Sequence, residues 1–550
     1  MKKKYVRWTL WTIASPFILF IILCILIYLP PIQNFLVDKA AVYASEATGM
    51  NISVGRISLS FPLNLVVTNV DAASPHNDTL LSVRRLQVNV QLLPLLKKQV
   101  EVDGISLQGA TVNSNDLIHG MKLNGTLGEL FISSHGVALD PETAIVNKVL
   151  LKDTDLSLCL NDTAAVDTAA SDTTYWKIIL QDIDLQNVSF ALDMPLDSLS
   201  LAASLDNAIL RDGLIDLHKS AYSLQTFRIE NGRVRYDNGK PLAADSLSSG
   251  LDPSHIALTD IGVKLDSLYY EGRNMKAIIS QFVLKERSGV EIVSATGRMV
   301  SNDKVLRVPS LKLETRDSYL ELNAAMDWNA LDFKGEGLVS ARLMADIGKP
   351  DVVRFMGRMD EKFVRQYPSE PLRIRTGIDG DLNKLKLTTL TAELPGALGL
   401  FARGELTHLT DSLLRGGDIT LEAETKDLKF VSTLAEGIEI PYGTRLEGKF
   451  TMAGTKMGTD LLLMQPEAQA VVAADTIPIT VYNDSISVAD DFKMERAARL
   501  FAKYDLSRDR YEADLAVNHF DLHQFMPADS LYTLSTRLKV EGEGFDFFSP

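Results

Sequence analysis

Eight histidines fall at positions 76, 119, 135, 218, 255, 408, 519 and 523, and they are scattered rather than grouped. His519 and His523 stand four apart around Asp521, a spacing that on a helix would let both imidazoles face one zinc ion. No H-E-x-x-H accompanies them, and the related segments at Asp346 and Asp427 carry no histidine, so they read as a surface pair. Cys159 is the one cysteine beyond Cys24. It has no histidine nearby and reads as a small apolar side chain, and alone it makes no intrachain disulfide. Asp490-Asp491 precede a helix-like segment and read as charges favouring its N-terminus. No nucleophile-elbow serine, P-loop or dinucleotide fingerprint occurs. Six N-x-S/T sequons, such as Asn187-Val188-Ser189, matter only in a eukaryotic secretory route. The sequence therefore implies neither an enzyme nor a metal or cofactor.

What remains is the chemistry of an amphipathic surface. Ile57, Leu59, Phe61, Leu63 and Leu65 alternate with other residues; so do Leu86, Val88, Val90 and Leu92, and later Leu320, Leu322, Ala324, Met326 and Trp328. Period-two alternation gives a strand one apolar and one wet face. Curled into a single open sheet, such strands would make a continuous apolar strip. Ile57, Leu59, Phe61, Leu63, Leu86, Val88, Val90, Leu320, Leu322, Met326 and Trp328 are the expected lining residues. Phospholipid acyl chains would suit that strip. At about 0.8 kcal/mol per buried methylene, a chain of about 16 carbons gains on the order of 10 kcal/mol, much as in a bilayer. Transfer would be near neutral, which is what a conduit needs. If about 25 strands stack at roughly 4.8 Å, the strip would run on the order of 120 Å.

Two repeat series position these residues. In the first, an apolar-x-apolar-x-(Gly/Asp/Asn)-x-x-apolar pattern is centred on Gly109, Asp153, Asn187 and Asn231, at spacings of 44, 34 and 44 residues. The central residue suits a bulge or bend at which a strand changes phase. In the second, Asp346-Ile347, Asp427-Leu428 and Asp521-Leu522 open segments of helical character. Each leads to a strand starting Arg373-Ile374, Arg445-Leu446 or Arg537-Leu538, followed by glycines. One helix is expected over Asp351 to Tyr367, covering an end or edge of the β array. The low-complexity stretch from Asp162 to Thr174 reads as a loop. Antiparallel pairing suits the short turns, with parallel pairing left open. No terminal cap follows the third Arg-Leu strand, so the chain is expected to continue beyond Pro550.

Ahead of the strands, Lys2, Lys3, Lys4 and Arg7 precede 22 uncharged, mainly apolar residues from Trp8 to Leu29. That is the length of a transmembrane helix, and no small-residue cleavage site follows it. The basic flank places the N-terminus in the cytoplasm and the bulk across the membrane. Trp8, Trp11, Phe17, Phe20, Tyr28 and Leu29 are the expected anchor residues. Ile32, Phe35, Leu36, Ala40, Tyr43 and Ala47 form a helical stripe, expected to cap the β array or lie on the membrane. With 56 basic and 71 acidic residues, the net charge is −15, and no nucleic-acid partner is expected.

Several of these segments resemble a known family. Thr48-Gly49, Val54-Gly55-Arg56-Ile57, Leu59-x-Phe61-Pro62-Leu63 and the run from Leu86 through Leu93-Pro94-Leu95-Leu96 to Gly109 resemble the opening of AsmA-like proteins. The Asp-Leu units followed by Gly-punctuated strands resemble TamB, the inner-membrane subunit of the translocation and assembly module. The resemblance implies a single-pass protein of a bacterial inner membrane, with its bulk in the periplasm. It further implies phospholipid movement toward the outer membrane, or a scaffold for assembling outer-membrane β-barrels. A TamA-like or BamA-like barrel partner would be met through a region that this chain does not contain. The expected fold is mainly β: a transmembrane helix (1–29) and amphipathic helix (30–50), then a long curled repeat β-sheet forming a hydrophobic groove, with a few short helices. The sheet divides into an AsmA-like part (51–250) and a TamB-like part (251–550). A closed β-helix or sandwich of purely structural role is the remaining alternative. It would show no continuous apolar opening.

Overall fold

The computed structural model describes residues 51–544 apart from 61–63, 75–78, 91–101, 115–120, 140–141, 162–174, 240–249, 333–336, 357–359, 435–436, 467–480, 483–484, 487–493 and 528–531, together with Lys39, Ala41, Val42, Ser45 and Met50. The chain is mainly β, with 25 strands in one hydrogen-bonded sheet and a few short helices. It divides into two compact units. The first runs to Ala243 and includes Pro253–Gly272 and Gln281–Arg287, and the second holds the rest.

The first unit contains β1 (Asn51–Ser60), β2 (Asn64–Ala73), β3 (Thr79–Val90), β4 (Val102–Asn113), β5 (Met121–Leu139), β6 (Glu142–Leu160), β7 (Lys177–Met194), β8 (Leu199–Asp216), β9 (Ala221–Leu224), β10 (Thr226–Asp237) and β11 (His255–Glu271). Strands β1 to β8 pair in chain order, antiparallel except at one step. That step is β6–β7, which is parallel and leads through the low-complexity stretch. β9 and β10 both pair with β8 and with β11.

This topology explains the repeat spacings. The 44-residue steps join strands two apart, β4 to β6 and β7 to β10. The 34-residue step joins the adjacent parallel strands, which pair at an offset of 34, as in Leu151↔Leu185. All four central residues adopt the left-handed backbone expected of a bend, with φ of 60° at Gly109, 49° at Asp153, 51° at Asn187 and 53° at Asn231. Asn69 (φ 50°) occupies the equivalent place in β2. They fall in one cross-strand row, where Asn187 Nδ2 donates to Asp153 Oδ1 at 2.9 Å and Asn231 Nδ2 donates to Asp206. Across the row the apolar alternation slips by one residue, from Leu107 to Ala110 and from Ile229 to Gly232. A Cβ built on Gly232 would lie 3.2 Å from Ile229 Cγ2 and 3.2 Å from Ile261 Cβ, so both flanks share one face.

The second unit contains β13 (Glu291–Ser301), β14 (Val305–Thr315), β15 (Tyr319–Asp327), β16 (Val339–Ile347), β17 (Leu372–Gly380), β18 (Lys384–Leu394), β19 (Leu398–Thr407), β20 (Gly416–Thr425), β21 (Arg445–Ala453), β22 (Lys456–Met464), β25 (Ala497–Asp505), β26 (Arg510–Asp521) and β27 (Thr533–Glu543). These form an antiparallel meander in chain order. β12 (Asn274–Glu286) is divided between the two units, and β23 (Val481–Tyr482) and β24 (Ser485–Ile486) form a separate hairpin.

Four sequence expectations are corrected. The single helix over Asp351 to Tyr367 is two shorter ones, α1 (Lys349–Met356) and α2 (Glu361–Gln366), the second capped by Asp360, whose side chain accepts from the Lys362 amide. Among the described residues, the Asp427 and Asp521 units hold 3-10 turns, Lys429–Thr433 and Leu522–Gln524, in place of α-helices. The run Ile57 to Leu65 is not one strand. β1 ends at Ser60, and Leu65 lies in β2 opposite Leu59. Finally, β15 ends at Asp327, and Trp328 opens a 3-10 turn (Trp328–Asp332). The indole N–H of Trp328 donates to the Asn302 carbonyl at 2.8 Å, and Arg273 lies 5.5 Å from its ring. Those contacts hold it at a strand end rather than in the alternating series.

The one buried core cluster among the described residues lies where the helices meet strand ends. Phe363, Tyr367, Leu394, Ala397, Leu428 and Phe430 are buried there, with Leu372 and Leu398 against them. Phe363 meets Phe430 edge-on at 5.7 Å. The helices thus pack over strand ends of the second unit.

Candidate functional site

Cross-strand partners place their side chains on the same face of a sheet. The pairing therefore reads out what each face carries, row by row. In the first unit one row joins Ile57, Val67, Leu86, Leu107, Leu130, Leu151, Leu185, Ala208, Ile229 and Val263. The row beside it carries Leu59, Leu65, Val88, Ile105, Ile132, Val149, Ile183, Leu210, Phe227 and Leu265 through the same pairings. Every member of both rows is apolar. Beyond the bend, Val70, Val83, Ala110 and Leu127 continue the face.

The second unit repeats this plan. One row runs Leu311, Leu322, Leu343, Thr376, Leu390, Ala402, Leu421, Gly448, Leu461, Leu500, Leu515 and Leu538. Rows through Leu320 and Met326 lie on the same face. The opposite face is charged and laced by cross-strand ion pairs, such as Arg375–Asp346 at 2.6 Å and Arg537–Asp514 at 2.8 Å. The Arg537 guanidinium binds both carboxylate oxygens of Asp514 and, with Lys539 beside it, holds that carboxyl below its ordinary range. On the same face Tyr319 donates to Glu321 at 2.8 Å, which lowers the Glu321 carboxyl and raises the Tyr319 phenol.

A sandwich of this size would bury one such face against a second sheet. In the two first-unit rows, Ala208 alone is buried. The larger side chains are half-buried, and Ile105 is 36 % exposed. In the second unit Phe450 is 44 % exposed and Leu538 54 %. Within each unit, no second sheet of comparable size covers the apolar face among the described residues.

The expected lining residues can now be placed. Ile57 and Leu86 share one row, and Leu59 and Val88 the next. Leu320, Leu322 and Met326 occupy three rows of the second unit. Val90 closes β3 opposite Val102, with its side chain outside the described residues. Phe61 and Leu63 lie outside the described residues, as do the anchor residues Trp8, Trp11, Phe17, Phe20, Tyr28 and Leu29. No helix of the described residues is long and apolar enough to cross a membrane. Most of the face was missed in the sequence. Ile419-x-Leu421-x-Ala423 and Leu446-x-Gly448-x-Phe450-x-Met452 carry the same period, and in the second a glycine interrupts it.

No group of three potential metal ligands occurs among the described residues. His519 and His523 do not share a helix face. His519 lies within β26 at φ 44°, and His523, in the following 3-10 turn, stacks on Tyr532 at 5.0 Å. Cys159 Sγ lies 3.2 Å from Asn161 Oδ1. The chain matches no protein-family model and no curated protein.

Proposed function

We propose that this chain is a membrane-anchored, non-enzymatic conduit that carries phospholipid by its acyl chains along the apolar face of its sheet. The observation that carries the reading is that face: row after row of Leu, Ile, Val, Ala, Phe and Met, half-buried and not covered by a second sheet. Acyl chains gain there about what they gain in a bilayer, roughly 0.8 kcal/mol per methylene, so lipid would enter without being trapped. The charged opposite face keeps the sheet soluble and discourages a second apolar layer. The apolar segment from Trp8 to Leu29 supplies the anchor. The resemblance to AsmA-like proteins and TamB supports a bacterial inner-membrane location and transfer toward the outer membrane.

The test is to purify the chain in mild detergent and quantify bound phospholipid by mass spectrometry, beside Leu461→Asp and Leu151→Asp. Wild type is expected to retain several lipids per chain and each variant clearly fewer, with circular dichroism unchanged. A folded, lipid-free wild type across mild preparations would overturn the proposal.

A further inference from the structure

Midway along its strands, the first unit has two unlike faces. Opposite the apolar rows, a polar row runs from Arg56 through Arg85, Glu129 and Lys152 to Glu230. At one end of the strands that difference is lost. Val137, Ala144, Ile178, Ile215, Tyr222 and Tyr270 form one cross-strand row there. Ile145, Ile179, Leu214 and Tyr269, with Ser223, form the row beside it. Successive residues of a strand point to opposite faces, so these two rows lie on opposite faces of the sheet. A groove needs one apolar face, and this end has two.

The same end gathers aromatic side chains. Tyr175, Tyr222, Tyr269 and Tyr270 are between 36 % and 53 % exposed. The Tyr222 and Tyr270 rings lie 6.1 Å apart, and Tyr175 meets His218 at 5.6 Å. Trp176 precedes β7 there, its carbonyl accepting from the Leu217 amide at 3.0 Å. Tyrosine and tryptophan, each an apolar body with a polar tip, suit the boundary between hydrocarbon and water. The nearby carboxylates are held by the protein itself. Glu142 accepts from the Tyr175 amide at 2.7 Å, Asp216 from the Lys219 amide at 3.1 Å and Glu271 from the Tyr269 hydroxyl.

The connections differ between the two ends of the unit. Those of β1–β2, β3–β4, β5–β6 and β8–β9 meet the aromatic end, and their sequences include Phe61-Pro62-Leu63 and Leu92-Leu93-Pro94-Leu95-Leu96. They carry three lysines, Lys97, Lys98 and Lys219, against two carboxylates, Glu101 and Asp140. Those of β2–β3, β4–β5 and β7–β8, at the other end, carry Asp78, Asp116 and Asp197 and no lysine or arginine. An anionic lipid surface attracts the first set and repels the second.

We propose that the aromatic end of the first unit inserts into the interfacial layer of a phospholipid bilayer, with both faces of the sheet among lipid. Exposed apolar surface bordered by tyrosine and lysine marks such a contact, and the charge difference between the ends sets its direction. The proposal rests on the membrane-anchored part of the function proposed above and not on lipid carriage.

The test places the full chain in vesicles of phosphatidylethanolamine and phosphatidylglycerol. In a Cys24→Ser, Cys159→Ser background, Tyr269→Cys, Tyr270→Cys, Leu196→Cys and Leu151→Cys each carry one environment-sensitive fluorophore. The quencher is a phospholipid with a nitroxide high on its acyl chain. Labels at 269 and 270 are expected to lose emission together, while the label at 196, an equally exposed apolar position at the acidic end, keeps it. Quenching at 270 and 151 but not at 269 would leave lipid on one face only, which overturns this proposal and leaves the conduit standing. Quenching at 269 and 270 with none at 151 would support the insertion and count against the conduit. Equal quenching at 196 and 269, or none at 269 and 270, would defeat the proposal, as would a chain that does not float with the vesicles. Should Tyr270→Cys lose its circular dichroism signal, Tyr222→Cys in the same row takes its place.

Discussion

Asn187 sits at φ 51° in the middle of β7, with its amide bonded to Asp153 at 2.9 Å. It is exposed, so substitutions there act through backbone conformation and that one hydrogen bond rather than through packing. Most residues with a Cβ lose about 1–2 kcal/mol in the left-handed conformation, whereas glycine loses almost nothing and asparagine little, because its short polar side chain bonds locally. Losing the exposed hydrogen bond costs about 0.5 kcal/mol. Asn187→Gly should therefore be near neutral, Asn187→Ala should cost about 1.5–2 kcal/mol, and Asn187→Val should cost more because its branched Cβ crowds the backbone. Each strand touches only its neighbours, so the effect should be local. Hydrogen exchange read by mass spectrometry resolves it. Peptides from β6 to β8 should exchange about 10- to 30-fold faster in the Ala variant and at wild-type rates in the Gly variant, with second-unit peptides unaffected. If Gly accelerates exchange as much as Ala, the left-handed backbone is not the constraint, and the reasoning about the bend fails.

Asp351 is 1 % exposed and accepts from Ser318 at 2.6 Å, from Arg354 at 3.0 Å and from Thr315. Asp351→Ala should cost about 3 kcal/mol, read as a lowered melting temperature with loosened exchange in α1, whereas Asp351→Asn should cost less. The Asp514 carboxyl is held low in the folded state by Arg537, so its stabilisation is present above the unfolded carboxylate pKa and fades as pH falls through the lower folded value. Melting temperatures of wild type and Asp514→Asn should differ at neutral pH and converge below about pH 4. Within β19, a Cβ on Gly404 would lie 2.2 Å from the Asp418 carbonyl oxygen, while one on Gly399 meets nothing within 4 Å. Gly404→Ala should cost about 1–3 kcal/mol in thermal unfolding and Gly399→Ala far less.

The sequence carried the period-two strands and the bends because both are local. Alternation and a turn-prone residue at Gly109, Asp153, Asn187 or Asn231 are visible within ten residues. Trp328 kept the right parity yet left the strand, because Asn302 and Arg273, distant in sequence, decide its place. The hairpin hidden between Leu59 and Leu65 kept the alternation of a single strand, because opposite residues of a tight hairpin share a face. The parallel β6–β7 step was invisible in composition, although the 34-residue spacing encodes it.

Site-specific photocrosslinking in living cells tests the conduit most directly. A photoreactive residue replaces Leu151 or Leu461 on the apolar face, or Asp155 or Glu422 from the alternate positions of β6 and β20. Phospholipid adducts are expected at Leu151 and Leu461 and at neither charged position. Equal labelling of both sets, or protein adducts alone on the apolar face, would contradict a lipid-carrying surface.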